Sequence, residues 1–373
     1  YNYSNQTISE DILKKMNDVL FHRGPYDEGY YINPQKNFAM AIRRLSIIDL
    51  KTGHQPIHNE NKKIWVVFNG EIYNFLELRE NLQKLGHQFY TNCDTEVLVH
   101  LYEEFQENML QHLRGMFAFV IWDQSQSKAF FARVRIGKKP LYYTISNGNF
   151  IFASEIKSIL EYPNLNLNIS LEAIDLYLTY QYIPSPYTIY KEIFRLPPAH
   201  YLIVDKNGSV KIDRYWHLNY KDKLKISFED AMSELKNLIK ESVKIRLISD
   251  VPLGAFLSGG HDSTIITAIM SEVMSKPVET FSIGFKEDEF SELNYARIVA
   301  KRFNTNHKEF IVDPKNVDIL PKIVWYYDQP YADSSALPSY FVSQVARKYV
   351  TVALNGDGGD ENFGGYLRYV GLN

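Results

Sequence analysis

Several features are scarce in this 373-residue sequence, and each absence narrows what the chain can be. A single cysteine, Cys93, rules out an intrachain disulfide and predicts a reducing compartment, so we expect a cytoplasmic location. The longest apolar runs, such as residues 116–122, fall far short of the roughly 20 residues that cross a bilayer, so no membrane partner is expected. A net charge of only −3 gives no electrostatic footprint for nucleic acid.

What the sequence does contain predicts two domains, because 373 residues with 45% hydrophobic content exceed one typical core. The first half favours an α+β fold. Strands are predicted at 64–75, 116–123, 128–136 and 149–154, helices at 75–85 and 95–105, and a hairpin at 196–216 turning at Asn207-Gly208. A polar, lysine-rich linker follows at 219–225. We therefore place one domain at 1–217 and a second at 218–373.

The second half alternates helices and strands, which predicts an α/β domain with a parallel sheet. Its strands are expected before Ser258, at 281–285 and at 349–356, with helices beginning near residue 228, around 265–270 and at 295–303. Ligands of such sheets bind at the carboxyl ends of the strands. A site is therefore expected where loops leave these strands.

Glycines and serines crowd one such loop, LSGGHDS at 257–263, between an apolar strand and a helix. Amides at a helix start bind anions without a charged side chain, and the loop lacks the lysine of the Walker A motif. A different nucleotide-binding loop is predicted. The alternative is an ordinary glycine turn, capped by Asp262 or Ser263.

A second glycine-rich loop, NGDGGDENFGGY at 355–366, follows another apolar strand. Asp357, Asp360 and Glu361 would repel one another unless a cation relieved them, and beside a triphosphate Mg²⁺ is the natural cation. A solvated acidic loop is the alternative for this stretch alone. Two such loops ending two strands of one sheet favour a common phosphate site.

The first domain carries the polar stretches HRGPYDEG (22–29), RRLSIID (43–49), NGEIYN (69–74) and CDTEV (93–97). Arg44, Glu71 and Asp94 could grip the carboxylate and ammonium of an amino acid, and Asn69 with the Gly70 amide could polarise a carbonyl. Each stretch also has a structural interpretation: His22 in packing, Asn69-Gly70 in a hairpin turn, Asp94 as a helix N-cap. No nucleophile is evident, since Cys93 has no obvious base beside it.

These motifs, with GHQPIHNE, GKKPLYY, FASEIKSIL and ADSSALPSY, occur in the order found in glutamine-hydrolysing asparagine synthetases, which the chain resembles along its whole length. The resemblance implies an N-terminal-nucleophile glutaminase domain, an αββα sandwich, that supplies ammonia to an ATP pyrophosphatase domain. Its substrates are glutamine, aspartate and ATP, with Mg²⁺ as the metal. A homodimer is one expected assembly.

The resemblance also assigns residues to sites. Glutamine would contact Arg44, Leu45, Ser46, Ile47, Ile48, Asn69, Gly70, Glu71 and Asp94. ATP would contact Leu257, Ser258, Gly259, Gly260, Asp262, Ser263, Ile283, Asn355 and Gly356. Aspartate would contact Asp333, Ser334 and Ser335, Mg²⁺ would be held by Asp262 and Asp360, and Asp357 would serve formation of the aspartyl-adenylate.

Some positions depart from the family pattern. Family members carry a nucleophilic cysteine that would precede Tyr1 and a catalytic lysine that would follow Asn373, so we expect residues 1–373 alone to bind ligands without turnover. Val134 and Gln329 each replace a carboxylate, and His261 replaces an apolar residue. Two alternatives therefore stay open: another amide-forming ATP pyrophosphatase of the β-lactam synthetase type, and a non-catalytic glutamine- or nucleotide-binding descendant.

Overall fold

A computed structural model of the chain describes residues 1–4, 7–285, 291–312 and 317–371. The chain forms two compact units. Unit 1 comprises Tyr1–Lys223 and Val324–Ala332, and unit 2 comprises Leu224–Ile323 and Asp333–Asn373. Unit 1 thus includes a short segment that lies more than 100 residues after the rest of it.

Unit 1 is built around a six-stranded antiparallel sheet in the order β11-β10-β6-β5-β4-β3, with β1-β2 and β8-β7-β9 forming two smaller sheets. The strands are β1 Asp27–Ile32, β2 Ala39–Arg44, β3 Ile57–His58, β4 Ile64–Ile72, β5 Gly115–Asp123, β6 Lys128–Arg133, β7 Tyr142–Ser146, β8 Asn149–Ala153, β9 Ile193–Arg195, β10 His200–Val204 and β11 Val210–Arg214. Runs of β-branched and aromatic residues explain the central strands, which are buried on both faces.

The helices of unit 1 cover both outer faces of these sheets. They are α1 Glu10–Asp18, α2 Phe75–Lys84, α3 Glu96–Phe105, α4 Ile156–Leu160 and α5 Leu171–Tyr180. Local sequence starts two of them, since the Ser9 hydroxyl accepts from the Ile12 amide at 3.4 Å and the Ser170 hydroxyl accepts from the Ala173 amide at 3.2 Å.

The main core lies between the six-stranded sheet and the smaller sheets. Trp122 of β5 stacks on Phe38 at 4.1 Å between ring centroids, and Phe131 of β6 meets Phe150 of β8 at 5.1 Å. The other face of the large sheet packs on α3, where Tyr102 lies 5.6 Å from Phe130. Helices α1 and α4 contact β2 and β8 respectively. The layers are therefore helix, sheet, sheet and helix, which confirms the predicted α+β sandwich.

Unit 2 holds a four-stranded parallel sheet in the order β14-β13-β12-β15, which confirms the predicted α/β domain. Its elements are α6 Phe228–Ile245, β12 Leu253–Phe256, α7 His261–Val273, β13 Glu279–Phe285, α8 Leu293–Phe303, β14 Asn306–Val312, α9 Leu320–Tyr327, α10 Ala336–Ala346, β15 Val352–Leu354, α11 Gly359–Phe363 and α12 Leu367–Val370. The second half of α9 belongs to unit 1.

The strand order of this sheet reverses at one place. From β12 the chain moves outward through β13 to β14, and it then returns to place β15 on the other side of β12. Crevices of this kind, at the carboxyl ends of the two strands that flank a reversal, are where open α/β sheets bind ligands. The loops that follow β12 and β15 are the two glycine-rich loops of the sequence.

The predicted elements occur, but some end earlier than the sequence pattern indicates. Strand β4 stops at Ile72 rather than Phe75, and β6 stops at Arg133 rather than Ile136. At the end of β6, the Arg133 guanidinium donates to the Gly137 and Leu196 carbonyls. The residues after Arg133 therefore form a turn around its side chain. Among the described residues, no helix combines the length and apolar composition needed to cross a membrane.

Candidate active sites

Unit 1 contains a cavity of about 1030 Å³, lined by residues of β2, β4, β8 and α1 among others. Most of the predicted glutamine-binding residues line it: Arg44, Leu45, Ile47, Ile48, Asn69, Gly70, Glu71 and Asp94. Ser46 is buried but is not one of the lining residues. Residues that are up to 50 positions apart in sequence therefore meet at one concave site large enough for an amino acid.

Arg44 ends β2 and is nearly buried. Its Nη2 donates to the Ile48 carbonyl at 2.8 Å and to the Asp49 carbonyl at 2.9 Å. Gly53 permits this packing, since a Cβ there would lie 2.4 Å from the same nitrogen. Part of the guanidinium fork is thus used to hold the loop that follows β2. The Arg44 charge also acts on Asp94, where it lowers the pKa of the carboxyl against the effect of burial.

Asp94 lies at the base of the cavity and is buried. Its Oδ2 accepts from the Ile72 amide at 2.9 Å, so the alternative interpretation of Asp94 as a helix N-cap is wrong; α3 is preceded by Thr95 without a side-chain cap. Burial raises the pKa of the Asp94 carboxyl to about 6, although the Arg44 charge opposes the rise. A neutralising ammonium group would stabilise its ionised form.

Asn69 and Gly70 lie inside β4, opposite Ala118 and Phe117 of β5, so the hairpin-turn interpretation is also wrong. A Cβ at Gly70 would lie 2.0 Å from the Met116 carbonyl oxygen, which explains the glycine. The Asn69 Nδ2 atom is buried and has no hydrogen-bond partner within the described chain. Asn69 is also one of the residues that line the cavity.

Several cavity residues were missed by the sequence analysis. Lys139, from the GKKPLYY motif, lines the cavity, and burial followed by the Arg23 charge lowers its pKa. Glu155 accepts from Arg23 Nη1 at 2.7 Å and pairs with His22 Nε2 at 3.0 Å, and despite burial these groups and Lys157 lower its pKa to about 2. The packing interpretation of His22 therefore fits its contacts, although it also lines the cavity.

The segment Val324–Ala332 completes this wall of unit 1. Asp328 accepts from the Lys157 amide at 3.0 Å and pairs with its ammonium at 3.1 Å, while Trp325 places its ring 4.5 Å from that ammonium. Tyr326 lines the cavity. Lys157 and Asp328 lie about 170 residues apart in the sequence, so no local pattern could have indicated that they meet.

In unit 2, the loop after β12 folds around two hydroxyls. Ser263 accepts from the Ser258 amide at 3.3 Å and donates to the Gly260 carbonyl at 3.2 Å, and Ser258 accepts from the Gly260 amide at 3.2 Å. Gly259 has a φ of +89°, which glycine adopts without strain. Helix α7 begins at His261 with Gly260 before it and no side-chain cap, so neither Asp262 nor Ser263 acts as the N-cap.

The loop after β15 has its own internal bonds. Asn355 donates to Asp357 at 2.6 Å, and Glu361 accepts from the Gly358 amide at 3.1 Å and from Tyr366 at 2.7 Å. These bonds occupy Glu361 within the loop. The carboxylate of Asp360 packs on Gly365, where a Cβ would lie 1.9 Å from its Oδ1.

The two glycine loops touch at Asp262. A Cβ at Gly356 would lie 2.7 Å from the Asp262 Cβ, and one at Gly359 would lie 2.2 Å from its Cγ. The Asp262 side chain therefore packs closely on Gly356 and Gly359, and a larger residue at either glycine position would overlap it. Hard oxygen ligands from Asp262 and the acidic loop fit Mg²⁺.

The remaining predicted positions have the following places. Leu257 is buried and donates its amide to the Phe281 carbonyl at 2.9 Å, and Ile283 lies half-buried in the adjacent strand β13. Asp333, Ser334 and Ser335 are exposed just before α10, and Asp333 accepts from the Ser335 amide at 2.8 Å.

The departures from the family pattern have simple local settings. Val134 is buried, so an unpaired charge there would be costly. Gln329 follows Asp328, which supplies the carboxylate that pairs with Lys157. His261 is exposed at the start of α7. Cys93 is buried, and burial raises the pKa of its thiol to about 11, so it is not activated as a nucleophile.

Comparison with known proteins gives matches over both units. Residues 2–216 match the glutamine amidotransferase domain family, and residues 234–372 match the asparagine synthase family. Asparagine synthetase [glutamine-hydrolyzing] 1 of Bacillus subtilis is 40% identical over 361 residues, which are 96% of this chain and 56% of that protein. A putative asparagine synthetase [glutamine-hydrolyzing] 2 of Methanocaldococcus jannaschii is 41% identical over 99% of this chain and 75% of that protein.

The chain thus spans about half to three quarters of the length of these curated relatives. Among solved structures, the glutamine phosphoribosylpyrophosphate amidotransferase of B. subtilis, in complex with ADP and GMP, aligns at 16% identity. That alignment covers 80% of this chain and 62% of the other, with a TM-score of 0.40.

Proposed function

Because this chain belongs to the family of glutamine-hydrolysing asparagine synthetases, we propose that the complete protein converts aspartate to asparagine with ammonia taken from glutamine. ATP activates the β-carboxylate of aspartate as an adenylate, so AMP and pyrophosphate are the products. Domain 1–217 carries out the glutaminase step and domain 218–373 contributes to the synthetase step. The protein is proposed to be cytoplasmic and a homodimer, acting without nucleic acid or membrane.

The observation that carries this proposal is the meeting of both glycine loops at the reversal of the parallel sheet. The amides and hydroxyls of Ser258 to Ser263 offer donors to the phosphates of ATP, beside the positive end of α7. Asn355 and Gly356 border the same crevice. Asp357, at the tip of the second loop, is the proposed residue for the adenylation step.

Asp262 and Asp360 are the proposed ligands of Mg²⁺, which supplies charge neutralisation to a bound polyphosphate. The chain's own contribution is to fix the Asp262 carboxylate, which Gly356 and Gly359 contact directly. Asp333, Ser334 and Ser335 are proposed to bind aspartate.

In the first domain, Asp94 and Glu71 are proposed to bind the ammonium of glutamine, and Arg44 its carboxylate. Asn69 Nδ2, which has no partner within the described chain, is suited to donate to the oxyanion that develops on the carboxamide. No described residue is assigned as the nucleophile, because the buried Cys93 has a raised thiol pKa.

The test uses the complete gene product with aspartate, ATP, Mg²⁺ and glutamine. We expect AMP, pyrophosphate and asparagine, because the glycine loops bind a nucleotide for adenylation. Asp262→Asn should abolish AMP formation and leave glutamine hydrolysis largely intact, since the two sites lie in different domains. Release of ADP and phosphate, or equal loss of both activities in Asp262→Asn, would contradict the proposal.

A further inference from the structure

Outside the glutamine cavity, unit 1 brings two histidines and two glutamates to one point. Glu60 follows β3, His87 follows α2, and His100 and Glu103 lie on the same face of α3. One ligand atom from each residue falls within 4.8 Å of the other three. None of the four lines the cavity, so this cluster is separate from the proposed glutamine site.

The distances within the cluster are those of a coordination shell. His87 Nδ1 lies 3.3 Å from Glu60 Oε1 and 3.7 Å from Glu103 Oε2. His100 Nδ1 lies 3.2 Å from Glu103 Oε2 and 3.6 Å from Glu60 Oε2. A tetrahedral zinc ion with bonds of about 2.0 to 2.2 Å has ligand atoms roughly 3.3 to 3.5 Å apart. Four of the distances thus come close to this spacing, while the full set of ligand atoms lies within 4.8 Å, so binding an ion requires the outermost atoms to move inward.

The outer nitrogens of the two histidines give a second indication of a metal site. Each ring points Nδ1 at the common centre and Nε2 at a second carboxylate, with His87 Nε2 at 3.1 Å from Glu104 and His100 Nε2 at 3.8 Å from Glu96. His100 is fully buried, and its Nε2 has no hydrogen-bond partner among the described residues. Metal-binding histidines usually donate their outer N–H to a carboxylate, which orients the ring.

The glutamates are oriented in the same way. Glu103 Oε1 accepts from Asn59 Nδ2 at 2.7 Å, which leaves Oε2 facing the centre. Glu60 Oε1 accepts from the Gln88 amide at 2.9 Å. Three of the proposed ligands, Glu60, His87 and Glu103, thus have a hydrogen bond that fixes their direction, and burial confines the ring of His100.

The charges around the centre are unbalanced. Four carboxylates surround two imidazoles: Glu60, Glu96, Glu103 and Glu104. Across the described part of the chain, no lysine or arginine forms an ion pair with any of them. With both rings neutral, as metal binding requires, the four carboxylates carry a charge of −4, which a divalent cation would reduce to −2.

We propose that Glu60, His87, His100 and Glu103 bind a divalent late transition metal, with Zn²⁺ as the best match. Two imidazoles favour zinc over magnesium or calcium, and two nitrogen with two carboxylate ligands are donors that a four-coordinate zinc ion accepts. The ion joins the loop after β3, the loop after α2 and the middle of α3. This site goes beyond the proposed catalytic function and does not depend on it.

The test is titration of the full-length, tag-free, chelator-treated protein with Zn²⁺ in competition with a chromophoric chelator. We expect one tight equivalent, and crystals soaked in Zn²⁺ should show an anomalous peak between the four side chains. His87→Asn and Glu60→Gln should each weaken binding at least about a hundredfold, because loss of an outer-shell contact alone costs about 10- to 100-fold. Mg²⁺ should not compete.

Matched controls remove the same chemical groups elsewhere in unit 1. His217→Asn and Glu161→Gln alter exposed side chains, and both proteins should bind Zn²⁺ as the parent does. Near-native circular dichroism of the His87→Asn and Glu60→Gln proteins would separate ligand loss from unfolding. Absence of a tight equivalent, or Zn²⁺ affinity unchanged by both cluster variants, would overturn the site and leave an ion-pair network. Neither readout depends on glutamine or ATP turnover.

Discussion

The buried carboxylate of Asp94 should cost the protein stability, and its removal should therefore stabilise unit 1. Burial raises the pKa of Asp94 from 3.8 to about 6, and each tenfold change in proton affinity corresponds to about 1.4 kcal/mol. Ionised Asp94 thus lowers the free energy of unfolding by about 3 kcal/mol above pH 6. Asp94 accepts a hydrogen bond from the Ile72 amide at 2.9 Å. Asp94→Asn removes the charge but keeps a side-chain oxygen that can accept the same bond.

The sign of the pH dependence follows from the raised pKa. Below about pH 3.8 the carboxyl is protonated in both the folded and the unfolded chain, so the substitution should have little effect there. Between pH 3.8 and 6 the folded protein retains its proton longer than the unfolded chain, so the parent loses stability relative to Asp94→Asn as pH rises. The full difference should be present above pH 6.

Urea unfolding of the complete chain, followed from pH 4 to pH 8, measures this difference as a shift in the transition that reports unit 1. Asp175→Asn is the matched control, because Asp175 is exposed on α5 and should show no such pH-dependent gain. Asp94→Asn should also lose glutamine binding, since the ammonium partner is gone. An Asp94→Asn protein less stable than the parent at pH 8 would refute the reasoning.

Two further predictions follow from the contacts of the proposed sites. Arg44→Ala should weaken glutamine binding by about tenfold or more in calorimetry, because a charge-assisted bond contributes about 1.5 to 3 kcal/mol, and an affinity within threefold of the parent would contradict its role. Gly359→Ala should weaken Mg²⁺-dependent ATP binding, since its Cβ would lie 2.2 Å from Asp262 Cγ; an unchanged ATP titration would show that Asp262 is not held by this contact.

The sequence patterns predict the layers of both units well because local residue types determine them. Apolar alternation specifies β4 and β5, and the glycine-rich stretches after β12 and β15 are visible as strand-to-helix loops. The meeting of those loops also follows from the alternation of strands and helices, since parallel strands present their carboxyl ends at one edge. Fold class and the meeting of the two glycine-rich loops could therefore be predicted, and the phosphate site there stays a prediction.

Long-range contacts could not be predicted. Nothing local indicates that Asp328 pairs with Lys157 in unit 1, or that His87 lies against His100, because the intervening chain sets these distances. Two structural alternatives suggested by local patterns also proved wrong. Asp94 is of a residue type that often caps helices, yet its carboxylate accepts a hydrogen bond from the Ile72 amide. Asn69-Gly70 is a dipeptide typical of turns, yet it lies within β4 and pairs with β5.

Helix α3 connects the two unit 1 sites through a shared energetic constraint. Asp94 and Thr95 at its start line the cavity, and His100 and Glu103 further along it belong to the proposed zinc cluster. The buried charge at Asp94 opposes folding by about 3 kcal/mol, whereas an ion present at 100 times its Kd stabilises the folded state by about 2.7 kcal/mol. At that ion concentration, zinc bound to the proposed cluster would therefore offset the stability that the folded protein loses to the ionised Asp94.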